Sequence, residues 1–493
     1  MLYILLLGLS ILLAGYNISR RNAKGPLPPG PRGLPFLGNA LHIPPEYSWL
    51  TFTRWAQTYG DVMHLSVIGQ SFIILSSRKA IDDLLEKRGA MYSDRPIIPM
   101  AGELAGFGQY MAMFPYGRRH REGRKLFLGT LNPRNAPRLQ AIQEETVAPF
   151  VANLAEDPSN FLLHIRWLVA SVVLRITHGL TIDSYDDPVI QTMEKVIHDV
   201  SKLSAPGAYL VDSLPILMHI PDWFPGAGFK KVAKDARDNS SRIEHKLYGI
   251  VKEQVARGTA LPSFAGDLMQ NNPNATPEEE DLYRKTGTLF YTAGSDTTVS
   301  VIESFLILIA QNPGIQKKAQ AEVDAVTGRT RPPVFSDREA LPYLDAVLKE
   351  VFRHKPAGPL ALPHKVRQDD HYAGYWIPAG STVLSNTWAI MRDPSLYPNP
   401  DLVDPERYLR DSNENLNPDP RIFAFGYGRR VCPGQMLAES TLFLTAANIL
   451  ASFDVSEAFS LDGSEPKWGG GVVSQPLPFK CTIKPRTKTA HHG

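Results

Sequence analysis

Cysteine is scarce in this chain, with two among 493 residues. One of them, Cys432, stands in FGYGRRVCPG (425–434), between an arginine-flanked glycine loop and a Pro-Gly. A free cysteine often fills a core gap as a small hydrophobe, and that reading suits Cys481. At Cys432 the neighbours argue for chemistry. Gly426, Gly428 and Gly434 have no Cβ, so the backbone turns sharply and can approach a large flat partner, with the Phe425 ring beside it. After Pro433, Met436, Leu437, Leu442, Phe443, Leu444, Ile449 and Leu450 fall at helical spacing, which predicts a helix starting just past the cysteine. Unpaired N–H groups at a helix N-terminus and the charge of Arg430 favour thiolate over thiol. A thiolate held in this way is a nucleophile or a metal ligand.

Zinc and iron–sulfur sites need several clustered Cys or His ligands, and Cys432 has none near it in sequence. A single-thiolate metal site points to haem, where the porphyrin supplies four ligands. Phe425, Gly428, Arg430, Cys432 and Gly434 fill the FxxGxRxCxG signature, and the chain resembles the haem-thiolate monooxygenases, the cytochromes P450. The resemblance implies haem b (iron protoporphyrin IX) with Cys432 as its iron ligand, and a mainly α fold with a minor β component forming a single haem domain.

Three further segments carry the resemblance. Residues 286–310 read as a long helix with an apolar second half, interrupted by Gly294, Ser295, Asp296, Thr297 and Thr298. Glycine costs roughly 1 kcal/mol against alanine in a helix, and Asp and Thr are also poor formers. The interruption reads by itself as a kink, a satisfied polar pair or a functional site. It matches the family's AGxDTT motif, which implies that the helix opens over the haem and that Asp296 and Thr297 relay protons. In 341–356, Glu350 and Arg353 lie three apart on a helix, a spacing that usually makes a surface pair worth a few tenths of a kcal/mol. The family's ExxR motif has this form, and with Arg407 of PERY (405–408) it implies a structural charge cluster beneath the haem, the arginine fork holding the carboxylate bidentately.

The basic run YGRRHREGRK (116–125) is a solvated helix face, or else the family's propionate-binding segment. On the second reading Arg124 and His120 bind haem propionates, His120 standing where tryptophan is usual and donating from a ring nitrogen. His364 and Arg430 complete that set.

These motifs must converge on one cofactor, so the length does not imply three domains. The expected division is an anchor at 1–18, a basic and proline-rich hinge at 19–35, and a catalytic domain at 36–493. FIILSS (72–77) and TVLSNTWAI (382–390) alternate like strands. Residues 256–280 read as a surface connection into the long helix. The first 18 residues are apolar and uncharged, followed by Arg20, Arg21 and Lys24. A signal peptide competes, but the cationic leader and small-residue cleavage site are missing. About 18 residues just span a bilayer, and the following basic residues put the catalytic domain in the cytosol. Family resemblance implies the endoplasmic reticulum membrane. No disulfide is expected there, and the sequons at Asn239 and Asn274 go unused. Residues 213–231 are a second membrane contact or a loop packed on the core.

Nothing in the chain binds nicotinamide or flavin: no GxGxxG follows a strand, and Gly469, Gly470 and Gly471, without the Lys-Ser/Thr of a phosphate loop, read as a turn lining the substrate pocket. Electrons then come from NADPH through a separate partner, NADPH-cytochrome P450 reductase, docking on a basic face around Arg121, Lys125 and Arg429. The net charge of +2 gives no footprint for nucleic acid, and a monomer is expected. Segments 95–114, 357–362 and 469–476, with the helix face near Phe290 and Ala293, border the pocket by resemblance and are mostly apolar. They favour a small hydrophobic substrate chosen by shape. The overall pattern is similar to fungal secondary-metabolism oxidases, which implies monooxygenation of a natural-product intermediate, a terpenoid foremost and an aromatic, indole or polyketide compound second. A haem-thiolate isomerase or binding protein is the other class, and the intact Asp296–Thr297 pair argues against it.

Overall fold

The computed structural model describes residues 24–409 and 417–486. The anchor expected at 1–18, and the hinge up to residue 23, lie outside the described residues. Helices of eight residues or more are α1 (Ser48–Tyr59), α2 (Arg118–Thr130), α3 (Ala136–Glu156), α4 (Phe161–His178), α5 (Pro188–Leu203), α6 (Gly228–Ala256), α7 (Phe264–Asn271), α8 (Pro277–Gln311), α9 (Pro313–Thr327), α10 (Pro342–His354) and α11 (Gln435–Ser452). Strands are β1 (Val62–Val67), β2 (Gln70–Leu75), β3 (His364–Lys365), β4 (Asp370–Tyr372), β5 (Tyr375–Ile377), β6 (Thr382–Ser385), β7 (Phe453–Ser460) and β8 (Phe479–Pro485). The fold is mainly α with a minor β component.

Helix α8 is the axis. Thr276 accepts from the Glu279 amide while the Glu279 carboxylate accepts from the Thr276 amide, a capping box followed by Pro277 and a first turn of three glutamates that suits the helix dipole. Residues 298–310 of α8 are all buried, so that stretch is packed on every side. The whole helix, Pro277–Gln311, is long and apolar enough to cross a membrane, as is Pro158–His178, yet the protein itself buries most of the apolar window of both. Helices α3, α4, α5, α6, α9, α10 and α11 share one core with it, which runs from Met100 to Ile483.

The main sheet has the order β1-β2-β6-β3, with β2 and β6 parallel and the other pairs antiparallel. It takes up both strand-like stretches of the sequence, but the second ends at Ser385, where the Asn386 side chain accepts from Ala389 N and starts a helical turn. The connection at 256–280 contains α7, capped by Ser263. Residues 24–35 lie along the sheets: Trp376 N donates to Pro26 O at 2.7 Å and His64 N to Pro29 O at 3.0 Å. Segment 213–231 is not a buried loop, since Ile216 is 72% and Trp223 80% exposed. Of the two sequons' hydroxyl residues, Ser241 is exposed on α6, whereas Thr276 has a structural duty in capping α8.

Candidate active site

The loop before α11 is closed by Cys432 N donating to Phe425 O at 2.7 Å. Gly426 (φ +78°) and Gly428 (φ +56°) are left-handed, a conformation that favours glycine. A Cβ on Gly428 would stand 2.2 Å from Leu85 O, and its amide donates to Glu86 Oε1 at 2.6 Å. The close approach at Gly428 is therefore to the Leu85–Glu86 turn and not to a flat partner. At Gly434 a Cβ would stand at an ordinary 3.6 Å from Cys432 Sγ.

Burial pushes the Cys432 thiol up, while the Gly434 amide, the Arg124 guanidinium and the Gln435 amide draw it down. The cation that acts on the sulfur is thus Arg124, whose Nη1 donates to Val431 O at 2.7 Å. Arg430 turns away, giving Nε to Ser93 O at 2.7 Å and Nη2 to Phe114 O at 2.5 Å. Cys432 is exposed although protein surrounds it closely. A side chain that is both has its sulfur on the wall of an internal cavity. Helix α8 opens at the same level, with Ala293 exposed and Thr297 half-buried ahead of the fully buried stretch that starts at Thr298. Phe290 does not share that face, because its ring stacks on Phe127 with centroids 4.0 Å apart.

Helix α2 places His120 and Arg124 one turn apart on its inner side, while Arg118, Arg119, Arg121 and Lys125 are exposed. The solvated-face reading therefore holds for these four residues, while His120 and Arg124 lie on the other side. His120 is buried, and its Nδ1 has no partner among the described residues. Burial first, then Arg430 and Arg124, hold its pKa down at about 3. His364 on β3 is buried too, its Nδ1 against Tyr92 O at 2.7 Å, and burial and Arg95 lower it to about 3. Arg95, which sequence reasoning missed, donates to Ala112 O, Leu362 O and Pro363 O. Burial, then Arg430, brings it down to about 9, and burial brings Arg430 down to about 10. Its one sequence signal was an isolated arginine before a proline in an apolar stretch.

Buried arginines that depress one another, beside a His120 Nδ1 and an Arg430 Nη1 without partners among the described residues, are arranged for an anion that the described residues do not supply. Two propionates meet that need, and a thiolate on a cavity wall meets the iron. The residues fit a haem.

Asp296 and Thr297 are adjacent but turned apart. Thr297 Oγ1 donates to Ala293 O at 2.9 Å, whereas Asp296 Oδ1 lies 3.5 Å from Arg166 Nη1 on α4. Burial raises the Asp296 carboxyl and Arg166 opposes it. Arg166 is one of two arginines in the otherwise mostly apolar α4, a signal sequence reading left unused.

Glu350, Arg353 and Arg407 come together. Arg353 Nε and Nη2 hold the two Glu350 oxygens at 2.6 and 2.8 Å, and Arg407 Nε is 3.2 Å from Oε1. The Tyr408 hydroxyl and Asp404 amide donate to the same carboxylate at 3.0 and 2.9 Å. Glu350 and Arg353 are fully buried, so this is no surface pair. Remaining Arg353 donors go to Pro400 O and Leu402 O, which lock the loop after β6 onto α10. The Gly469–Gly471 turn packs on the residues just before α1: a Cβ on Gly470 would meet Glu46 Cβ at 2.6 Å.

A family model described as Cytochrome P450 matches residues 28–483. Curated relatives include cytochrome P450 monooxygenase 208 of Postia placenta, 40% identical over 96% of this chain and 92% of the relative. Cytochrome P450 monooxygenase claR of Ampulloclitocybe clavipes is 39% identical over 98% and 90%. Cytochrome P450 monooxygenase COX2 of Coprinopsis cinerea is 38% identical over 95% and 91%.

Proposed function

The chain belongs to the cytochrome P450 family of haem-dependent, oxygen-using monooxygenases, and from that premise we propose that it hydroxylates a terpenoid intermediate with Cys432 as iron ligand and electrons drawn from NADPH through a separate reductase. The observation that carries the reading is Cys432 itself, a sulfur on a cavity wall that receives two backbone amides and faces Arg124. Arg95, His120, Arg124, His364 and Arg430 would hold the propionates, with Phe425 and Gly434 beside the ring. When bound, the haem supplies oxygen activation. The chain's own residues do the rest. Asp296 holds a proton at Oδ1 under the control of Arg166, and Thr297 Oγ1 passes it on by turning from the Ala293 carbonyl. Glu350, Arg353 and Arg407 are structural, fixing the segment that leads to the cysteine loop.

Half-exposed or exposed Leu360, Ala361, Leu362, Val472 and Val473 offer apolar area with no carboxylate among them, which supports a hydrophobic substrate. Exposed Arg121, Lys125 and Arg429 support a reductase docking face. Exposed Phe36, Leu41, Ile216 and Trp223 support a monomer resting on the endoplasmic reticulum membrane beside its N-terminal anchor. These two apolar patches meet through β1 and β2, since Gly38 bridges to Val67 and Gln70 Nε2 donates to Asp212 O at 3.2 Å.

The test joins the protein to a fungal reductase, NADPH, labelled oxygen gas and a terpenoid panel, read by mass spectrometry. One labelled oxygen atom is gained in product. The reduced carbon-monoxide complex shows the red-shifted thiolate Soret band, lost in Cys432→Ala. Thr297→Ala keeps that band but consumes NADPH and releases peroxide. Rearrangement of a hydroperoxide without use of oxygen gas would overturn the reading.

A further inference from the structure

One face of α8 passes from open to closed along its length. Ala293, Thr297, Ser300 and Ser304 recur at spacings of four, three and four, which puts them on a common face. Ala293 is exposed and Thr297 half-buried, whereas Ser300 and Ser304 are buried. The loop 468–476 closes that face. Ser300 Oγ donates to Ser474 O at 2.9 Å, and one turn on Ser304 Oγ accepts from Trp468 Nε1 at 3.1 Å. A mid-helix hydroxyl usually bonds the carbonyl four residues back, as Thr292 and Thr297 do; Ser300 gives its proton to the loop instead. Two hydroxyls of one helix thus hold the two limbs of one loop. Its neck is sealed by Gly469 N donating to Gln475 O and Leu477 N to Lys467 O, both at 2.8 Å. Outer anchors complete the fixture: the Tyr47 hydroxyl donates to Trp468 O at 2.7 Å, Lys355 Nζ stands 4.0 Å from the centroid of the Trp468 ring, and Ser474 N donates to Ala357 O at 2.8 Å. Between the limbs Gly471 is exposed and Val472 and Val473 are half-buried, so the tip presents apolar groups.

We propose that Ser300 and Ser304 are positioning residues that hang the 468–476 loop across the end of the substrate cavity, so that this pair sets how far an apolar substrate extends along α8 beyond Thr297. Seven residues separate Thr297 from Ser304, a rise of roughly 10 Å, which brings the stop within reach of a medium-length apolar tail. A loop bonded at both limbs has a fixed tip. Releasing either limb lets the tip recede before a longer ligand, and selection by length is lost. Each bond is costly to lose, because the freed Ser474 carbonyl or Trp468 N–H is left in a buried place without its partner. The inference rests on haem and substrate sharing the cavity beside Ala293 and Thr297, and it adds what fixes the length of that cavity.

Imidazoles carrying an N-alkyl tail, from methyl to dodecyl, are the probes on the ferric holoenzyme, because the azole nitrogen binds iron and the tail must then lie in the cavity. Optical titration gives Kd for each length. In the wild type Kd falls about fourfold per methylene and stops falling at one tail length. In Ser300→Ala, and independently in Trp468→Phe, the fall continues over further methylenes while the methyl compound binds all three proteins alike, which a general loss of structure would not produce. Ser171→Ala on α4 removes a buried hydroxyl that has no partner among the described residues and keeps the wild-type stop. Hydrogen exchange read by mass spectrometry does not need the haem: the amides of 468–477 exchange about tenfold faster in Ser300→Ala. A wild type with no stop, or the same stop in both loop variants, overturns the proposal. Unchanged exchange in both overturns the clamp itself. Absence of an azole spectrum in the wild type fails the haem reading instead, and the exchange result still judges the clamp.

Discussion

Glu303 and His178 show how single buried groups make stability depend on pH in opposite directions. The Glu303 carboxyl is raised from 4.5 to about 8 by burial, so the unfolded chain gives up its proton first. Its contribution is present below about pH 4.5 and is lost as pH rises through 8. Glu303→Gln removes that loss, and its advantage over wild type in chemical denaturation grows across this window toward a ceiling on the order of 5 kcal/mol. His178 is held down at about 4 by burial, so its contribution is present above pH 6.5 and is lost as pH falls through 4. His178→Asn flattens that acid limb of the denaturation curve. Cys432, Asp296 and Thr297 stood out in the sequence because each breaks a local rule, a rare thiol and poor helix formers inside a helix, whereas Glu350, Arg353 and Arg407 were picked out only by their likeness to the family's motifs. Arg95, Arg166, Tyr408 and Glu303 did not, because what distinguishes them is burial against partners far away in the chain.

At the scale of elements, the cysteine loop is a small machine of backbone shape. Gly428→Ala combines a left-handed φ with a Cβ 2.2 Å from the Leu85 carbonyl. It costs on the order of 2 kcal/mol from conformation alone, with the clash added. Haem content, read from the ratio of Soret to protein absorbance, falls to a small fraction of wild type. Gly434→Ala meets only the sulfur at contact distance and keeps most of its haem. Helix α10 is held to the following loop by the buried Glu350–Arg353 pair, so Glu350→Ala leaves Arg353 charged and unpaired and lowers stability by about 3–5 kcal/mol, seen as loss of the folded haem protein on mild heating. Helix existence was legible from apolar spacing, as in α8, α10 and α11. The extent of α8 was not, because its polar first half carries no apolar stripe and is fixed by the Thr276 cap. Helix α7 was hidden by its shortness.

For the whole molecule, the surface carries both an exposed basic group and exposed large apolar residues. Arg121, Lys125 and Arg429 are exposed around Tyr116, whose hydroxyl accepts from Arg429 at 2.9 Å. Charge reversal of Arg121 and Lys125 slows reduction by the reductase about tenfold at low salt, and the difference from wild type shrinks as ionic strength rises; stopped-flow reduction measures both. The near-neutral total of +2 hides this polarity; the basic residues and the 213–231 segment were legible in the sequence, whereas the exposure of Phe36 and Leu41 was not. One pairing described above has a consequence for synthesis. Strand β2 takes its parallel partner from β6, Phe72 against Thr382, so the hairpin made early on the ribosome waits for roughly three hundred further residues. At about 5–20 residues per second that wait lasts tens of seconds, with an apolar strand edge uncovered throughout. Cys432 emerges later still. The nascent chain therefore depends on chaperone cover until almost the end of translation, and premature termination anywhere before the cysteine yields aggregate in place of a shortened enzyme.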